Sequence, residues 1–178
     1  GPPRQKALRT GSSGSYGPLR PTEQTLFTRR AVFVGGCTLA AAEMLCGNDA
    51  TLSPSPPFSL SPPQVLDGIA SLLDKSLLHR ETGLHGEPRY VMLETVREYG
   101  LERLAASGEE EAMRARHAGY FLQMLENANR MEVNPKRLQQ NRLIDDEIHN
   151  LRTALAWAME LDVQAALLLT AYLAYWYY

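Results

Sequence analysis

Apolar residues recur at helical spacing along most of this chain, and one short stretch has the character of extended strands. In the first 75 residues the pattern predicts three helices, whose starts carry Pro, Thr or Ser and whose ends carry Gly or Lys. The predicted helices run from Glu23 to about Val34, from Leu39 to Cys46 and from Ser61 to about Lys75.

A β-hairpin that leads directly into another helix is predicted for residues 76–106. The stretch from Ser76 to Glu81 has strand character, residues 82–88 are rich in turn-forming types, and Tyr90 and Val91 favour a second strand. Helical spacing resumes with an apolar arc made of Leu93, Val96, Gly100, Leu101 and Leu104. Three helices, a hairpin and a helix in this order predict a winged-helix domain over residues 21–106.

Residues 107–178 are predicted to form helices only. The first runs from Glu109 to about Met131, and Asn134-Pro135 marks the next start. An apolar stripe then predicts a continuous helix through Ile144, Ile148, Leu151, Leu155 and Met159. After Asp162, residues 163–178 are apolar nearly all round, and part of this helix is predicted to pack on Leu151, Leu155 and Met159. Together these helices indicate the start of an α-helical array of stacked hairpins.

The predicted fold class is therefore mostly α with a small β-hairpin. Residues 1–20 are predicted to be the tail of a helical segment or a linker, residues 21–106 a winged helix, and residues 107–178 the start of an array of hairpins like those of tetratricopeptide repeats. Glycines and a proline between positions 11 and 18 make a helix there unfavourable.

Composition excludes several functional classes. The chain has 178 residues, a net charge of −2 and 44% hydrophobic residues, as in ordinary globular proteins. It contains no apolar run as long as a membrane span, so we expect a cytoplasmic protein without a membrane partner. Cys37 and Cys46 lack metal-site spacing and are expected to be free, buried thiols. His117 lies on a core-facing stripe, so we expect a hydrogen-bonded core histidine. No catalytic motif is present, and we predict no catalytic residues and no metal site.

Two functional interpretations remain for the winged helix, namely protein–protein regulation and sequence-specific DNA binding. A helix that reads DNA presents Arg, Lys, Asn or Gln to bases and phosphates. The third helix offers one Gln and one Lys against two Asp, and the hairpin offers Arg80 and Arg89 beside Glu81 and Glu87. The non-specific electrostatic attraction would be weak. We therefore favour protein–protein regulation and expect no direct contact with nucleic acid.

Four blocks of sequence resemble large bacterial signalling ATPases of the STAND class, the AfsR-like and LuxR-type transcriptional regulators with an NB-ARC-like ATPase core. The blocks are Ala31-Val-Phe-Val-Gly-Gly-Cys-Thr-Leu39, Leu72-Leu-Asp-Lys-Ser-Leu-Leu78, Met92-Leu-Glu-Thr-Val-Arg-Glu-Tyr99 and Asn150-Leu-Arg-Thr-Ala-Leu-Ala-Trp157. In that family these blocks form the winged helix of a nucleotide switch and the start of a tetratricopeptide-like sensor array.

The resemblance implies a non-catalytic segment that couples the nucleotide state of an ATPase core to a partner-sensing array. It implies ATP or ADP for the whole protein but no cofactor here, because neither the phosphate-binding loop nor the magnesium-binding acidic motif has a match. The implied partners are the preceding ATPase core, following tetratricopeptide-like repeats, and a regulatory protein or small-molecule inducer. Met92, Leu93 and Glu94 stand where relatives carry a Met-His-Asp nucleotide sensor, so Leu93 and Glu94 are the candidate nucleotide-proximal positions.

The helix that starts at Glu94 supplies further candidates for an interdomain or structural role. Arg97 lies within the apolar arc and either pairs with Glu94 on its own helix or anchors another domain. Gly100 lies in the same arc, where relatives commonly carry Ala, and is predicted to be closely packed. Met92 and Leu93 complete this set as either a plain core joint or a surface that rests on the ATPase core.

The last helix supplies a candidate partner interface. Residues 163–178 have no charged side chain and only a few polar ones, so one side is expected to lack cover in this chain. We predict that this side recruits a second copy or another partner. The interface residues proposed for it are Leu167, Leu173, Tyr175 and Trp176.

Overall fold

The computed structural model describes residue 14 and residues 16–47, 59–130 and 137–177. Eight named helices and two strands lie within these ranges. In chain order they are α1 (Pro21–Arg30), α2 (Leu39–Cys46), α3 (Pro62–Asp74), β1 (His79–Thr82), β2 (Pro88–Val91), α4 (Glu94–Ser107), α5 (Glu110–Arg130), α6 (Arg137–Asp146), α7 (Ile148–Leu161) and α8 (Val163–Tyr177).

Helices α1, α3 and α4 pack around one apolar core. Helix α1 contacts both α3 and α4, and two glycines allow the close approach. An ideal Cβ on Gly68 of α3 would lie 2.5 Å from Leu26, and one on Gly100 of α4 would lie 2.8 Å from the Cβ of Ala31. Leu26 and Ala31 are fully buried, as are Phe27, Val65, Leu72 and Leu104. This region is called the helix core below.

The hairpin forms a short antiparallel sheet, as predicted. The register pairs His79 with Val91 and Thr82 with Pro88. Cys37, in the loop between α1 and α2, adds a third short strand position because it exchanges two backbone hydrogen bonds with Tyr90, of 2.9 and 3.1 Å. The wing is therefore tied to the loop that ends the first helix. Together with the helix core it confirms the predicted winged helix.

Most predicted boundaries agree with the structure, but the predicted end of α1 was wrong. The helix stops at Arg30 instead of about Val34, and residues 31–34 form turns in which Ala31 and Phe33 donate backbone hydrogen bonds to Thr28 and Arg30. Val32 and Phe33 are nevertheless buried. Apolar residues in a buried turn produced the same pattern as a helix, which explains the error.

The C-terminal helices pack as a layer in which α5 contacts both α7 and α8, and α7 contacts α8. The apolar stripe predicted one continuous helix through Ile144 and Met159, but the helix breaks at Glu147, which has φ −103° and ψ 8°. The predicted start at Asn134-Pro135 lies outside the described residues. Helix α7 buries a line shifted from the predicted one, made of Asn150, Leu151, Ala154 and Ala158.

This shift overturns the predicted role of Met159. Its side chain is 68% exposed, so it does not provide the surface on which α8 packs. Ala154 and Ala158 are buried at that side of α7, and Ala166 and Leu169 are buried on α8. Among the described residues, none of the helices is long and apolar enough to cross a membrane.

Candidate regulatory joint between the winged helix and the following helices

A buried polar cluster connects the winged helix to the helices that follow it. The cluster, called the joint below, consists of Gly36, Arg89, His117, Glu147 and Asn150, which come from the α1–α2 loop, β2, α5, the α6–α7 break and α7. All five residues are buried. Buried polar groups are costly without partners, so the geometry of the joint depends on its hydrogen bonds.

Asn150 is the centre of the joint. Its side-chain Nδ2 donates to the carbonyl of Gly36 at 3.0 Å and to Oε2 of Glu147 at 2.7 Å. Its Oδ1 accepts from the backbone N–H of Val34 at 2.7 Å and lies 3.2 Å from Nε2 of His117. An amide side chain has two donor hydrogens and one acceptor oxygen, and both kinds of group are used here. Asn150 of α7 therefore connects its own helix to the α1–α2 loop and to α5.

Arg89 and Glu147 form the charged part of the joint. The guanidinium donates to both carboxylate oxygens, at 2.6 and 3.1 Å, and also to the carbonyl of Gly36 at 3.0 Å. Burial by itself lowers the pKa of Arg89, but the hydrogen bonds and charge of Glu147 outweigh it, and the pKa is raised. Arg89 is thus held as a cation by the carboxylate of Glu147. The contact through both carboxylate oxygens also restricts the orientation of Arg89 relative to Glu147.

Gly36 is needed in this place for a steric reason. Its φ is +78°, and an ideal Cβ would lie 2.6 Å from the carbonyl oxygen of Tyr90. Any side chain would therefore push β2 away from the α1–α2 loop. Gly36 allows the loop carbonyl to reach both Arg89 and Asn150.

His117 closes the joint from α5 as a neutral ring. Burial lowers its pKa to about 4, against the opposing effect of its hydrogen bond with Asn150. Since Oδ1 of Asn150 can only accept, Nε2 of His117 is assigned the proton. The ring also packs against Phe33 and Phe121, at centroid distances of 5.4 and 4.8 Å. The structure thus agrees with the expectation of a hydrogen-bonded core histidine.

Two more buried arginines attach α2 to its neighbours. Arg29 of α1 donates to the carbonyl of Cys46 at 3.0 Å and pairs with Glu109 at 2.9 Å. Arg116 of α5 donates to the carbonyls of Leu45 and Met44 at 3.2 and 2.9 Å. These carbonyls form the negative end of α2, where cations are favourable. Arg116 therefore fixes α5 to the winged helix at a second point.

The thiols behave as predicted, since Cys37 and Cys46 are both free and buried. Burial raises the pKa of both, that of Cys46 to about 12. Cys37 accepts a hydrogen bond of 3.1 Å from Arg30, which also donates to the carbonyl of Tyr90 at 2.7 Å. Neutral buried thiols of this kind are unreactive. Among the described residues, no group of three or more His, Cys, Asp or Glu could hold a metal ion.

The candidates at the start of α4 lie apart from the joint. Met92 is buried, whereas Leu93 is 55% exposed and starts the helix. Arg97 donates to Glu94 at 2.8 and 3.0 Å and to the carbonyl of Ala31 at 3.1 Å. The pairing of Arg97 and Glu94 is the first of the two alternatives given above, with an added bond to the end of α1. Gly100 is buried against Ala31.

The candidate partner interface is described only in part. Leu167 is 67% exposed on α8, and Leu173 is half-buried. The backbone of Tyr175 and Trp176 belongs to α8, but their side chains lie outside the described residues. The exposed position of Leu167 is compatible with an interface, and the interface itself stays a prediction.

Sequence reasoning did not identify Arg89, Glu147 and Asn150 as a unit. Their side chains are polar, and their contacts with the α1–α2 loop and with each other span as many as 116 residues of sequence. One unused signal was that Asn150 lies within, and Arg89 just before, sequence blocks that resemble signalling ATPases. The acidic run at residues 145–147 before α7 was a second unused signal.

The outer face of α3 is poor in cations. Its exposed side chains include Gln64, Asp67 and Asp74, and Lys75 follows the helix and donates to Glu23 at 3.0 Å. The exposed wing adds Arg80 beside Glu81 and Glu87. Phosphate contacts rely on Lys and Arg, and in this arrangement few of them are available.

Comparison with known proteins supports a helix-turn-helix assignment. A family model described as a winged helix-turn-helix domain matches residues 58–105. Two proteins, each named "Putative HTH-type transcriptional regulator", from Mycobacterium bovis and from Mycobacterium tuberculosis strain H37Rv, are 40% identical over 161 residues, which is 88% of this chain. The chain spans only 16% of the length of these relatives.

A further relative is less similar. It is a protein of Mycobacterium tuberculosis strain H37Rv named "Uncharacterized protein", and it is 34% identical over 109 residues, or 61% of this chain and 25% of that protein. No solved structure shows a significant match. The chain thus contains a winged helix-turn-helix domain and is homologous to proteins named as HTH-type transcriptional regulators.

Proposed function

We propose that this chain is a regulatory segment of a larger HTH-type transcriptional regulator. In this proposal the winged helix and the helical layer act as one rigid unit, so that a change at the helices is transmitted to the wing. The observation that carries the proposal is the joint, in which Glu147 and Asn150 hold Arg89 and the carbonyl of Gly36. The relatives are several times longer than this chain, which is consistent with a segment of a larger protein.

The finer form of the proposal follows from the resemblance to STAND-class ATPases. The signal would be the nucleotide state of an NB-ARC-like core, ATP or ADP would bind outside this chain, and α5–α8 would begin a tetratricopeptide-like array that takes a regulatory protein or inducer. The exposed Leu93 and Glu94 at the start of α4 would face the ATPase core. The chain itself would not be an enzyme and would hold no cofactor. A phosphate-release assay with ATP and magnesium tests directly whether the chain hydrolyses ATP.

Hydrogen exchange tests the rigid unit. If the joint transmits motion, the amides of β2 and of α7 should open together in the wild-type chain. The substitution Asn150→Ala should uncouple them, so that β2 exchanges faster while the helix core keeps its protection. The control is Arg152→Ala, a substitution at an exposed position on the same helix. Unchanged coupling in Asn150→Ala would contradict the proposal.

Direct DNA binding is the second candidate function. The comparisons favour it more strongly than they favour coupling to an ATPase, because the matching family and the relatives are named for the helix-turn-helix. The acidic face of α3 argues against it in the arrangement described here. Anisotropy titration of a labelled random duplex at about 150 mM salt separates the two, since non-specific DNA binders typically show dissociation constants of ~10⁻⁴–10⁻⁶ M. Submicromolar binding by the wild-type chain would favour direct DNA binding.

A further inference from the structure

Three consecutive carboxylates before α7 each face a donor on the wing. Asp146 accepts a hydrogen bond of 2.6 Å from the backbone N–H of Leu84, at the tip of the hairpin. Glu147 pairs with Arg89 at 2.6 Å, and Asp145 lies 3.9 Å from Nε2 of His85. Asp145, Asp146 and Glu147 are called the acidic triplet below. The triplet follows the wing from its tip to strand β2.

The tip of the wing has room for this contact. Gly83 has no side chain, and an ideal Cβ there would lie 3.1 Å from both carboxylate oxygens of Asp146. The amide of Leu84 therefore points at a carboxylate without obstruction. A backbone N–H, an Arg and a His that face a line of anionic oxygens reproduce the contacts that proteins make to a nucleic-acid backbone.

We propose that the acidic triplet occupies the DNA-facing edge of the wing and keeps the winged helix from binding duplex DNA until α6 and α7 move away. The proposal rests on the second candidate function, direct DNA binding, and makes it conditional. It explains why a domain that matches a helix-turn-helix family has one edge of its wing in contact with the acidic residues that precede α7.

The charges of α3, the wing and the acidic triplet support this competition. Residues 62–91, which contain α3 and the wing, carry three Lys or Arg and four Asp or Glu. The triplet adds three more carboxylates within reach of the wing and neutralises Arg89. The three contacts of the triplet with the wing are 2.6–3.9 Å long, well within the screening length of about 8–10 Å. DNA phosphates approaching the docked wing would therefore meet a negative surface, and removal of the triplet would free donors and reduce that repulsion.

The outer part of the triplet can be removed without destroying the buried pair. Asp145 is exposed and Asp146 is half-buried, whereas Glu147 is buried with Arg89. The test variant is thus Asp145→Ala with Asp146→Ala. The control is Glu111→Ala with Glu160→Ala, which changes the net charge equally at two exposed positions away from the wing.

The experiment combines two measurements on the whole chain. Hydrogen exchange at the amide of Leu84 reports whether the contact has opened, and anisotropy titration of a fluorescein-labelled random duplex at about 150 mM salt reports binding. We expect faster exchange at Leu84 and an increase of roughly tenfold or more in DNA affinity in the test variant, with little change in the control. The salt dependence of binding should become steeper as phosphate contacts form.

Each other outcome counts against a defined part of the inference. If the wild type and the test variant bind DNA equally well, masking is wrong and DNA binding stands. If neither binds although the Leu84 amide has opened, the second candidate function fails and masking fails with it. Equal gains in the control and the test variant would indicate a general charge effect and overturn masking. Unchanged exchange at Leu84 would show that the carboxylates do not hold the wing.

Discussion

The helix core and the joint both connect neighbouring elements, but the helix core does so through apolar contacts and the joint through polar ones. In the helix core, α1 meets α3 and α4 through apolar side chains and through two glycines that allow close approach, as Gly100 does against Ala31. In the joint, the α1–α2 loop meets β2 and α7 through a buried ion pair and an amide. Both contacts are buried, so burial alone does not distinguish them.

The two kinds of contact respond differently to substitution. At an apolar contact, the protein loses stability gradually as buried side-chain volume is removed, and apolar side chains of similar size are tolerated. A buried ion pair gives little net stability, but removing one partner leaves an uncompensated charge. The joint should therefore tolerate single changes poorly while fixing one relative orientation of the wing and α7. Such behaviour suits an element that transmits a signal more than one that only stabilises a fold.

The largest expected effect comes from breaking the charged part of the joint. Glu147→Ala leaves Arg89 buried without its carboxylate, and we expect a loss of about 3–5 kcal/mol in the free energy of unfolding, measured by urea denaturation. Asp145→Ala, one of its neighbours in sequence, changes an exposed side chain and should stay within about 0.5 kcal/mol. The double variant Arg89→Met with Glu147→Leu should recover much of the loss. A loss as small as that of Asp145→Ala would show that the ion pair is not essential to the joint.

The next effect is a pH dependence at His117. Its folded pKa of about 4 lies below the ordinary value of 6.5, so the unfolded chain binds the proton more readily in this window. Stability is then fully present above about pH 6.5 and is lost as the pH falls towards 4, by an amount on the order of 3 kcal/mol. His117→Phe should remove this part of the pH dependence. Carboxylates such as Glu23 titrate in both proteins and cancel in the difference, so equal slopes would contradict the assignment.

The helix core can be broken sterically with a single methyl group. The Cβ of Gly100→Ala would lie 2.8 Å from that of Ala31, which is attached directly to backbone and cannot rotate away. We expect a loss of about 1–3 kcal/mol by thermal or urea unfolding. Gly119→Ala on α5 is the matched control, since nothing lies within 4 Å of its added methyl. That change should stabilise by about 0.5–1 kcal/mol, and a similar gain at Gly100 would refute close packing there.

A smaller effect is expected at the start of α2, which follows the loop shared by both regions. The hydroxyl of Thr38 accepts from the backbone N–H of Ala41 at 3.2 Å. Thr38→Ala should cost about 1 kcal/mol, and Thr38→Ser should retain most of the stability. Urea denaturation of the three proteins checks this order. A loss comparable to that of Glu147→Ala would place Thr38 within the joint.

The smallest effect on stability is expected on the outer face of α8. Leu167 is 67% exposed, so Leu167→Glu should barely change unfolding. It should instead abolish the predicted self-association through residues 163–178, as seen by light scattering over a concentration series. Leu84→Glu, at an exposed apolar position on the wing, is the control and should leave association unchanged. A wild-type chain that stays monomeric up to high micromolar concentration would contradict the predicted interface.

Local patterns in the sequence predicted most of the helix core and the wing. Thr38 caps α2 as its position indicated, and the hairpin and α4 lie within a few residues of their predicted bounds. These features depend on neighbours three or four residues apart, through caps, turns and apolar spacing. The same rule failed where apolar residues filled a buried turn after Arg30, and where the stripe towards Met159 ran across the break at Glu147.

The pairing of residues in the joint depends on the tertiary structure and not on local sequence. A carboxylate in the run 145–147 has the same local meaning whether it faces water or a buried arginine, and its partner on the wing is about 60 residues away in sequence. Apolar periodicity identifies a buried face only when that face is apolar. Local sequence patterns therefore specify most of the helices and strands and most of the apolar sides that they bury. Only the folded chain determined that Arg89, Glu147 and Asn150 meet, because a buried charge is stable only where the fold delivers its partner.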